Sequence, residues 1–148
     1  MTEAPPNGMP QFYPALAYRD APKAIAWLER AFGFRPILVV PGEGNTVAHA
    51  ELAFGTGIVM VGTARGADGQ PLAEGMPIPN NAPYVYVSDL EEHYERARAA
   101  GADVTRPLET KDYGGAGYSA RDVEGNEWSF GTYVPSLQPT HEEQANAR

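Results

Sequence analysis

The sequence predicts an α+β fold in which two βαβββ modules form a curved mixed sheet around a pocket. The first observation is a pair of helix-like segments, Asp20–Gly33 and Asp89–Gly101, that begin 69 residues apart. The second is that alternating apolar and polar residues follow each segment. The third is a glycine turn before the last strand of each half, at Gly57 and Gly125. The same elements in the same order indicate an internal repeat.

The first module is assigned to residues 12–62. Its opening strand is Phe12–Arg19, where Pro14 suits a strand start or an edge because proline lacks an N–H group. Asp20 is a good N-cap for the helix and Pro22 fits its first turn. Gly33 ends the helix. The apolar residues Ile25, Leu28, Ala31 and Phe32 recur at helical spacing and predict one buried stripe.

Three further strands complete this module, at Arg35–Val40, Thr46–Phe54 and Ile58–Val61. The middle strand alternates cleanly, because successive side chains of a strand point to opposite faces. We expect the helix side of the sheet to carry Ala48, Ala50, Leu52 and Phe54. The opposite face, which should line the pocket, then carries Val47, His49, Glu51 and Ala53.

The second module is assigned to residues 83–134. Its strands are predicted at Tyr84–Val87, Ala102–Leu108, Tyr118–Asp122 and Glu127–Tyr133. In the last strand Trp128 and Phe130 should join the helix-side core, whereas Glu127, Ser129 and Gly131 face the pocket. His93 lies among three glutamates on the predicted helix, and we expect it to be exposed.

The remaining segments are polar or rich in glycine and proline. Residues 63–82 are predicted to be a linker between the modules, either a plain connector or a flap over a pocket. Lys111–Gly117 is expected to be flexible. Residues 1–11 and 135–148 read as a disordered tail and a polar tail. His141 falls in the latter, where a metal-binding role is not expected.

The composition excludes several classes of function. The 148 residues include no cysteine, which removes disulfides, thiolate metal sites and a cysteine nucleophile. Eleven basic against nineteen acidic residues give a formal charge of −8, which disfavours nucleic acid as a partner. Residues 1–10 lack the pattern of an export signal, and no apolar run is long enough for a bilayer. We therefore expect a cytoplasmic protein without a membrane partner.

Four segments carry a resemblance to a known family: YRDAPKAIAWLERAFGF (18–34), HAELAFGTGIVMVG (49–62), VSDLEEHYERARAAGADV (87–104) and RDVEGNEWSFGTY (121–133). The chain resembles the vicinal-oxygen-chelate superfamily, which includes glyoxalase I, bleomycin-resistance proteins, fosfomycin-resistance enzymes and extradiol dioxygenases. It is most similar to the glyoxalase/bleomycin-resistance branch termed PhnB-like. This resemblance implies the paired-module fold but leaves the activity open, because the fold hosts many chemistries.

The resemblance also implies where a metal would bind. Family members place His, Gln or Glu ligands seven residues before each helix-capping Asp and four residues after each turn glycine. Carried over to this chain, those positions are Tyr13, Val61, Ala82 and Ser129. None is an imidazole or a carboxylate, so this donor set does not suit a divalent ion. We therefore expect no metal cofactor, as in relatives that bind small molecules in grooves of a homodimer.

His49 and Glu51 lie two residues apart on one strand and point the same way. They are interpreted in three ways: a metal or general-base pair, a polar contact to a ligand, or a mutually hydrogen-bonded pair on a sheet face. Tyr13, Tyr84 and Tyr86 should face the pocket, where aromatic rings with a polar tip suit a flat or cationic ligand. Packing aromatics would look alike. Arg121 either orients a charged group or pairs with a carboxylate at the rim.

Three functions remain open from the sequence, the last being a structural or partner-binding protein without an enclosed pocket. The first is metal-free binding of a small molecule in a pocket lined by Tyr13, His49, Glu51, Val61, Tyr84, Tyr86, Arg121 and Ser129. The alternative is an enzyme, either a metal-dependent lyase or isomerase of the glyoxalase type that uses His49 and Glu51, or an acid–base catalyst without a metal. No catalytic residue is assigned from the sequence. The expected partners are a small molecule and a second copy of the chain.

Overall fold

Two four-stranded mixed sheets and two helices make up the computed structural model, which describes residues 3–79, 81–110 and 115–138. The predicted α+β class and its two βαβββ modules are confirmed. After a short 3₁₀ turn at Pro6–Gly8, the elements are β1 (Ala15–Tyr18), α1 (Ala21–Phe32), β2 (Arg35–Pro41), β3 (Val47–Phe54), β4 (Gly57–Thr63), β5 (Tyr84–Tyr86), α2 (Leu90–Ala99), β6 (Asp103–Thr110), β7 (Ala116–Arg121) and β8 (Glu127–Gly131).

The strand order of the two sheets shows that the modules are equivalent. The first sheet runs β1-β4-β3-β2 and the second runs β5-β8-β7-β6. In each sheet the first strand is parallel to the last, with Leu16 opposite Val61 and Val85 opposite Phe130. A shift of 69 residues maps the first pair onto the second, so the repeat seen in the helices extends to the strand register.

The helices begin and end largely as their sequences predict. The Asp20 side chain accepts a hydrogen bond from the Lys23 amide, and Gly33 ends α1 with a φ of 80°. Asp89 occupies the N-cap of α2 without a side-chain cap bond. The Arg96 guanidinium of α2 donates to the carbonyl oxygens of Arg30 and Glu29 in the last turn of α1. These hydrogen bonds satisfy carbonyl groups at the end of α1 that have no partner within the helix, and they link the two modules.

The two modules meet through the helix-facing sides of their sheets. The Phe32 ring at the end of α1 lies 4.8 Å from Phe130 and 5.6 Å from Trp128, both on β8. The Phe34 ring lies 5.3 Å from that of Trp128. These buried residues belong to one hydrophobic cluster that spans both modules. The other face of each sheet, called here the open face, therefore points away from the shared core.

A buried polar network connects the end of β1 to the β7–β8 turn. The Tyr18 hydroxyl donates to the Asp122 carboxylate at 2.6 Å, and the Trp128 indole N–H donates to the same oxygen at 2.9 Å. The Glu124 carboxylate accepts the backbone N–H groups of Arg19 and Asp20. Burial, followed by the Asp122 charge, raises the pKa of Tyr18, so its hydroxyl stays protonated as a donor.

The segment between the modules folds into a small hairpin. Arg65 and Pro71 form an isolated bridge, and the Leu72 amide donates to the Ala64 carbonyl. The Arg19 side chain holds the next residues by donating to the Ala73 carbonyl. In the part of the chain that the structure describes, neither helix is long and apolar enough to cross a membrane. Residues 111–114 of the predicted flexible run 111–117 and His141 lie outside the described residues, whereas Ala116 and Gly117 of that run begin β7.

The expected exposure of His93 is wrong. Its side chain is only 7% exposed and lies between the modules. Nε2 lies 2.8 Å from the Phe32 carbonyl oxygen, so it must carry the proton, and Nδ1 then accepts from the Tyr118 hydroxyl at 2.6 Å. The prediction was wrong because the glutamates next to His93 in the sequence are typical of a solvent-exposed helix face. They lie on the other side of α2, whereas Leu90, His93 and Ala97 form its buried stripe.

Burial lowers the pKa of the His93 imidazole, and the nearby Arg96 charge also lowers it against the opposing effect of the Phe32 hydrogen bond. Below pH ~6.5, the His93 imidazole is protonated in the unfolded chain, whereas the buried imidazole of the folded chain takes up a proton less readily. We therefore expect stability to be fully retained above that pH and to fall as the pH drops below it. The slope for this one site is at most about 1.4 kcal/mol per pH unit.

Urea unfolding of the wild type and of His93→Gln between pH 8 and pH 5 measures this effect. The variant should be less stable at pH 8 and should lose less stability on acidification. Lys23→Gln, at an exposed position of α1, is the control and should retain the wild-type dependence. Equal losses of stability on acidification in the wild type and in His93→Gln would contradict the lowered pKa of His93.

Candidate functional site

The open face of the first sheet presents one polar pair on β3. His49 Nε2 lies 2.8 Å from Glu51 Oε2, and the two side chains are 41% and 33% exposed. Met60 on β4 lies opposite Glu51, while Leu38 and Val40 on β2 lie opposite Glu51 and His49. The pair can therefore offer hydrogen-bonding groups to a polar molecule beside the apolar side chains of Met60, Leu38 and Val40.

The open face of the second sheet carries two tyrosines on its edge strand. Tyr84 lies opposite Ser129, and Tyr86 lies opposite Gly131. The Tyr84 hydroxyl donates to the Tyr133 carbonyl at 2.7 Å. It reaches that oxygen by lying over Gly131, where an added Cβ would come within 2.9 Å of the hydroxyl. The Ser129 hydroxyl shares a 2.8 Å hydrogen bond with Ser119.

Arg121 lies at the rim of this face. Its guanidinium forms an ion pair with Asp103 on the neighbouring strand β6, at 3.2 Å. Glu127, opposite Arg121 on β8, accepts a hydrogen bond from the Thr105 hydroxyl at 2.6 Å. Of the two interpretations drawn from the sequence, the structure therefore shows the ion pair at the rim.

The expectation that Val61 faces the pocket is wrong. Its side chain is 2% exposed and belongs to the core, while Met60 lies on the open face. Four residues separate the paired Ala53 and Ile58 at the β3–β4 turn, whereas five separate the equivalent pair Arg121 and Glu127 at the β7–β8 turn. Counting from the turn glycines therefore shifts the register by one residue. Such a shift moves every side chain of a strand to the opposite face.

With the strand register corrected, the residue equivalent to Ser129 is Met60, since Tyr84 pairs with Ser129 as Ala15 pairs with Met60. The positions where relatives hold a metal are then Tyr13, Met60, Ala82 and Ser129. A phenol, a thioether, a methyl group and a hydroxyl do not fit a hard or borderline divalent cation. Among residues 3–79, 81–110 and 115–138, no three His, Cys, Asp or Glu side chains could hold a metal together.

The structure places the predicted site residues in two groups rather than one. His49 and Glu51 lie on the first sheet, as does the half-buried Tyr13 just before β1. Tyr84, Tyr86, Arg121 and Ser129 lie on the second sheet. Sequence reasoning missed Met60, and only the difference in turn length, which the strand pairing reveals, identifies it.

Sequence reasoning also missed a cavity of ≈ 520 Å³ between the modules, which we call the junction cavity. It lies between the β3–β4 turn and strand β5, with part of the N-terminal segment over it. Its walls are Pro10, Phe12, Pro14, Phe34, Phe54–Val59, Pro83–Tyr86 and Ser88.

The chain is similar to a known protein family and to solved structures over most of its length. The family model described as Glyoxalase/Bleomycin resistance protein/Dioxygenase superfamily matches residues 11–130. A comparison with curated proteins gives no match. The crystal structure of TioX from Micromonospora sp. ML1 is 38% identical, with a TM-score of 0.69 over 83% of this chain and 99% of that one.

More distant structures share the fold alone. The crystal structure of lactoylglutathione lyase from Agrobacterium tumefaciens is 18% identical, with a TM-score of 0.62 over 87% of this chain and 95% of that one. A glyoxalase-related enzyme from Fulvimarina pelagi is 17% identical, with a TM-score of 0.60 over 82% and 88% of the two chains.

Two neighbouring substitutions test the corrected register. Val61→Gln buries an amide in the apolar core and should destabilise the protein by about 2–4 kcal/mol. Met60→Gln places the same amide on the open face and should change stability by less than about 1 kcal/mol. Urea unfolding at pH 8 measures both. Equal losses, or a larger loss for Met60→Gln, would show that the two side chains are assigned to the wrong faces.

Proposed function

Because the chain belongs to the Glyoxalase/Bleomycin resistance protein/Dioxygenase superfamily, we propose that it is a metal-free binding protein that sequesters a small drug or metabolite. The observation that carries this proposal is the donor set Tyr13, Met60, Ala82 and Ser129, which does not suit a metal. Metal-dependent reactions of acyl, epoxide or diol substrates require a Lewis acid, which polarises oxygen atoms of the substrate. Binding requires only shape and a few placed polar groups.

The proposed ligand contacts follow from the two open faces. Tyr84 and Tyr86 offer aromatic faces about half exposed to solvent, suited to stacking on a flat ring. His49 and Glu51 offer a polar pair on the other sheet. Tyr13 and Ser129, with Met60 in place of Val61, complete the proposed lining. Arg121 would act at the rim, since Asp103 already pairs with it.

We propose further that the protein is a homodimer in which the open face of the first sheet lies against that of the second sheet of another copy. Within one chain the helix-facing sides of the sheets are joined, so neither open face covers the other. The uncovered surface includes Leu38 and Val40 beside the polar pair. A second copy would bury this apolar surface and enclose the ligand between the faces.

A second candidate is a lyase or isomerase of the glyoxalase type. The specific observation in its favour is the 2.8 Å contact between His49 and Glu51, because a carboxylate can orient an imidazole that acts as a base. In this case His49 would be the proton acceptor and Glu51 its positioning partner. A metal would need further ligands from outside this pair.

The binding proposal predicts that His49→Ala and Tyr13→Ala weaken ligand binding about tenfold or more while the thermal midpoint without ligand changes by less than about 3 °C. Bleomycin and the hemithioacetal of methylglyoxal and glutathione are suitable probes, measured by thermal shift and calorimetry. Lys23→Ala, at an exposed position of α1 and away from both open faces, is the control.

The alternative gives different results in the same experiments. Stoichiometric Zn, Ni, Mn or Fe in protein purified without chelator would contradict metal-free binding. Conversion of the hemithioacetal to product, abolished by His49→Ala, would identify the enzyme. Binding of a probe without conversion supports the proposal.

The dimer proposal predicts a mass of twice 15.9 kDa by sedimentation equilibrium at micromolar concentration. Leu38→Glu places a carboxylate on the open face opposite Glu51 and should weaken association at least about tenfold. Val39→Glu on the same strand points to the other face and is the matched control. A monomeric wild type, or equal effects of the two substitutions, would contradict this arrangement.

A further inference from the structure

The junction cavity occupies one of two equivalent places between the modules. At the first place the end of β1 meets the β7–β8 turn, and the rings of Tyr18 and Trp128 fill the space around Asp122. At the second place the end of β5 meets the β3–β4 turn. The shift of 69 residues maps Val59 onto Trp128 and Val87 onto Tyr18. Two valines thus stand where the first place has an indole and a phenol.

Of these two valines, Val59 lines the cavity, and its side chain fills less space there than the indole at the equivalent position. Buried space is normally filled to crystal-like density, and an unfilled volume costs stability. A cavity of ≈ 520 Å³ also lies within the range of ligand pockets in proteins. The volume therefore suits a molecule larger than the few waters that a packing defect would hold.

The chemistry of the walls restricts what this molecule can be. Among the described residues that line it, no side chain carries a formal charge, although the chain as a whole has a charge of −8. Five aromatic rings border it, from Phe12, Phe34, Phe54, Tyr84 and Tyr86. Without a counter-charge in the walls, burial of an ionised group would be costly. Aromatic rings favour flat partners by offset or edge-to-face packing.

We propose that the junction cavity is a second binding site, which takes a neutral, flat and largely apolar molecule. It shares Tyr84 and Tyr86 with the ligand site proposed above, but its walls do not include His49, Glu51 or Ser129. Ile58, Tyr84 and Tyr86 belong both to the cavity wall and to the open faces. A molecule bound in the cavity could therefore alter ligand binding at the open faces.

Phe12 supplies an exposed wall for this site. Its ring is 89% exposed although it borders the cavity, and it lies before β1 rather than in the sheet. An exposed phenyl ring gains apolar burial by covering a bound molecule. Truncation of Phe12 should therefore weaken binding without loss of folded stability.

The test uses two fluorescent probes with the same aromatic skeleton. N-phenyl-1-naphthylamine is neutral, and 8-anilinonaphthalene-1-sulfonate adds one negative charge. We expect the neutral probe to brighten and saturate at one site per chain, and the sulfonate to bind at least about tenfold more weakly. Equal affinity of the two probes would overturn the neutral ligand class, and no saturable binding of the neutral probe would overturn the site.

Substitutions locate the bound probe. Val59→Trp restores the indole of the equivalent place, and Thr56→Trp fills the cavity from the exposed turn. Each should weaken the neutral probe at least about tenfold, and Phe12→Ala should weaken it several-fold. Asn45→Trp, in the exposed turn before β3, is the matched control and should bind as the wild type does. If circular dichroism shows that Val59→Trp is unfolded, Thr56→Trp decides the question.

His49→Ala separates this site from the proposed function. It should leave the neutral probe unaffected while weakening the ligands of the open face. Unchanged affinity of the neutral probe in Thr56→Trp would overturn the junction site, whatever the open-face ligands do. Loss of the neutral probe in His49→Ala would place it on the open face and would equally overturn the second site.

Discussion

The packing of Phe32 and Phe34 against Trp128 and Phe130 determines how the whole molecule is arranged. These rings join the helix-facing sides of the two sheets, and burial of each contributes roughly 1.5–3 kcal/mol. Once those sides are joined, the opposite faces must point outward. The candidate ligand groups therefore lie on two surfaces of one chain, and enclosure of a ligand depends on what covers them.

The two places where the modules meet show how a repeated fold acquires different properties in its halves. One is fixed by a buried carboxylate that accepts from a phenol, an indole and an asparagine amide. Such a network is favourable only when each of its groups is satisfied. The other place has Val59 and Val87 at the positions of the two rings, and a cavity bordered by aromatic side chains lies there. The same backbone order thus supports a packed polar junction at one place and a cavity at the other.

Much of the fold could be predicted because its determinants are local. Caps, glycine stops and alternating strands identified both modules, and Trp128 and Phe130 were placed correctly in the core. Val61 could not be placed, because one extra residue in the β7–β8 turn inverts the face and depends on strand pairing between distant residues. His93 was misplaced because its acidic neighbours describe the outer side of α2. Its burial depends on Phe32 and Tyr118, which are 61 and 25 residues away.

The interleaved aromatic core also makes the two modules depend on each other. Here Phe32 of one half packs against Trp128 of the other, and Arg96 closes the end of α1. Each half now carries surface that only its neighbour can cover. Cleavage at the linker would leave two fragments with exposed aromatic faces, so we expect the two halves to unfold together rather than one at a time.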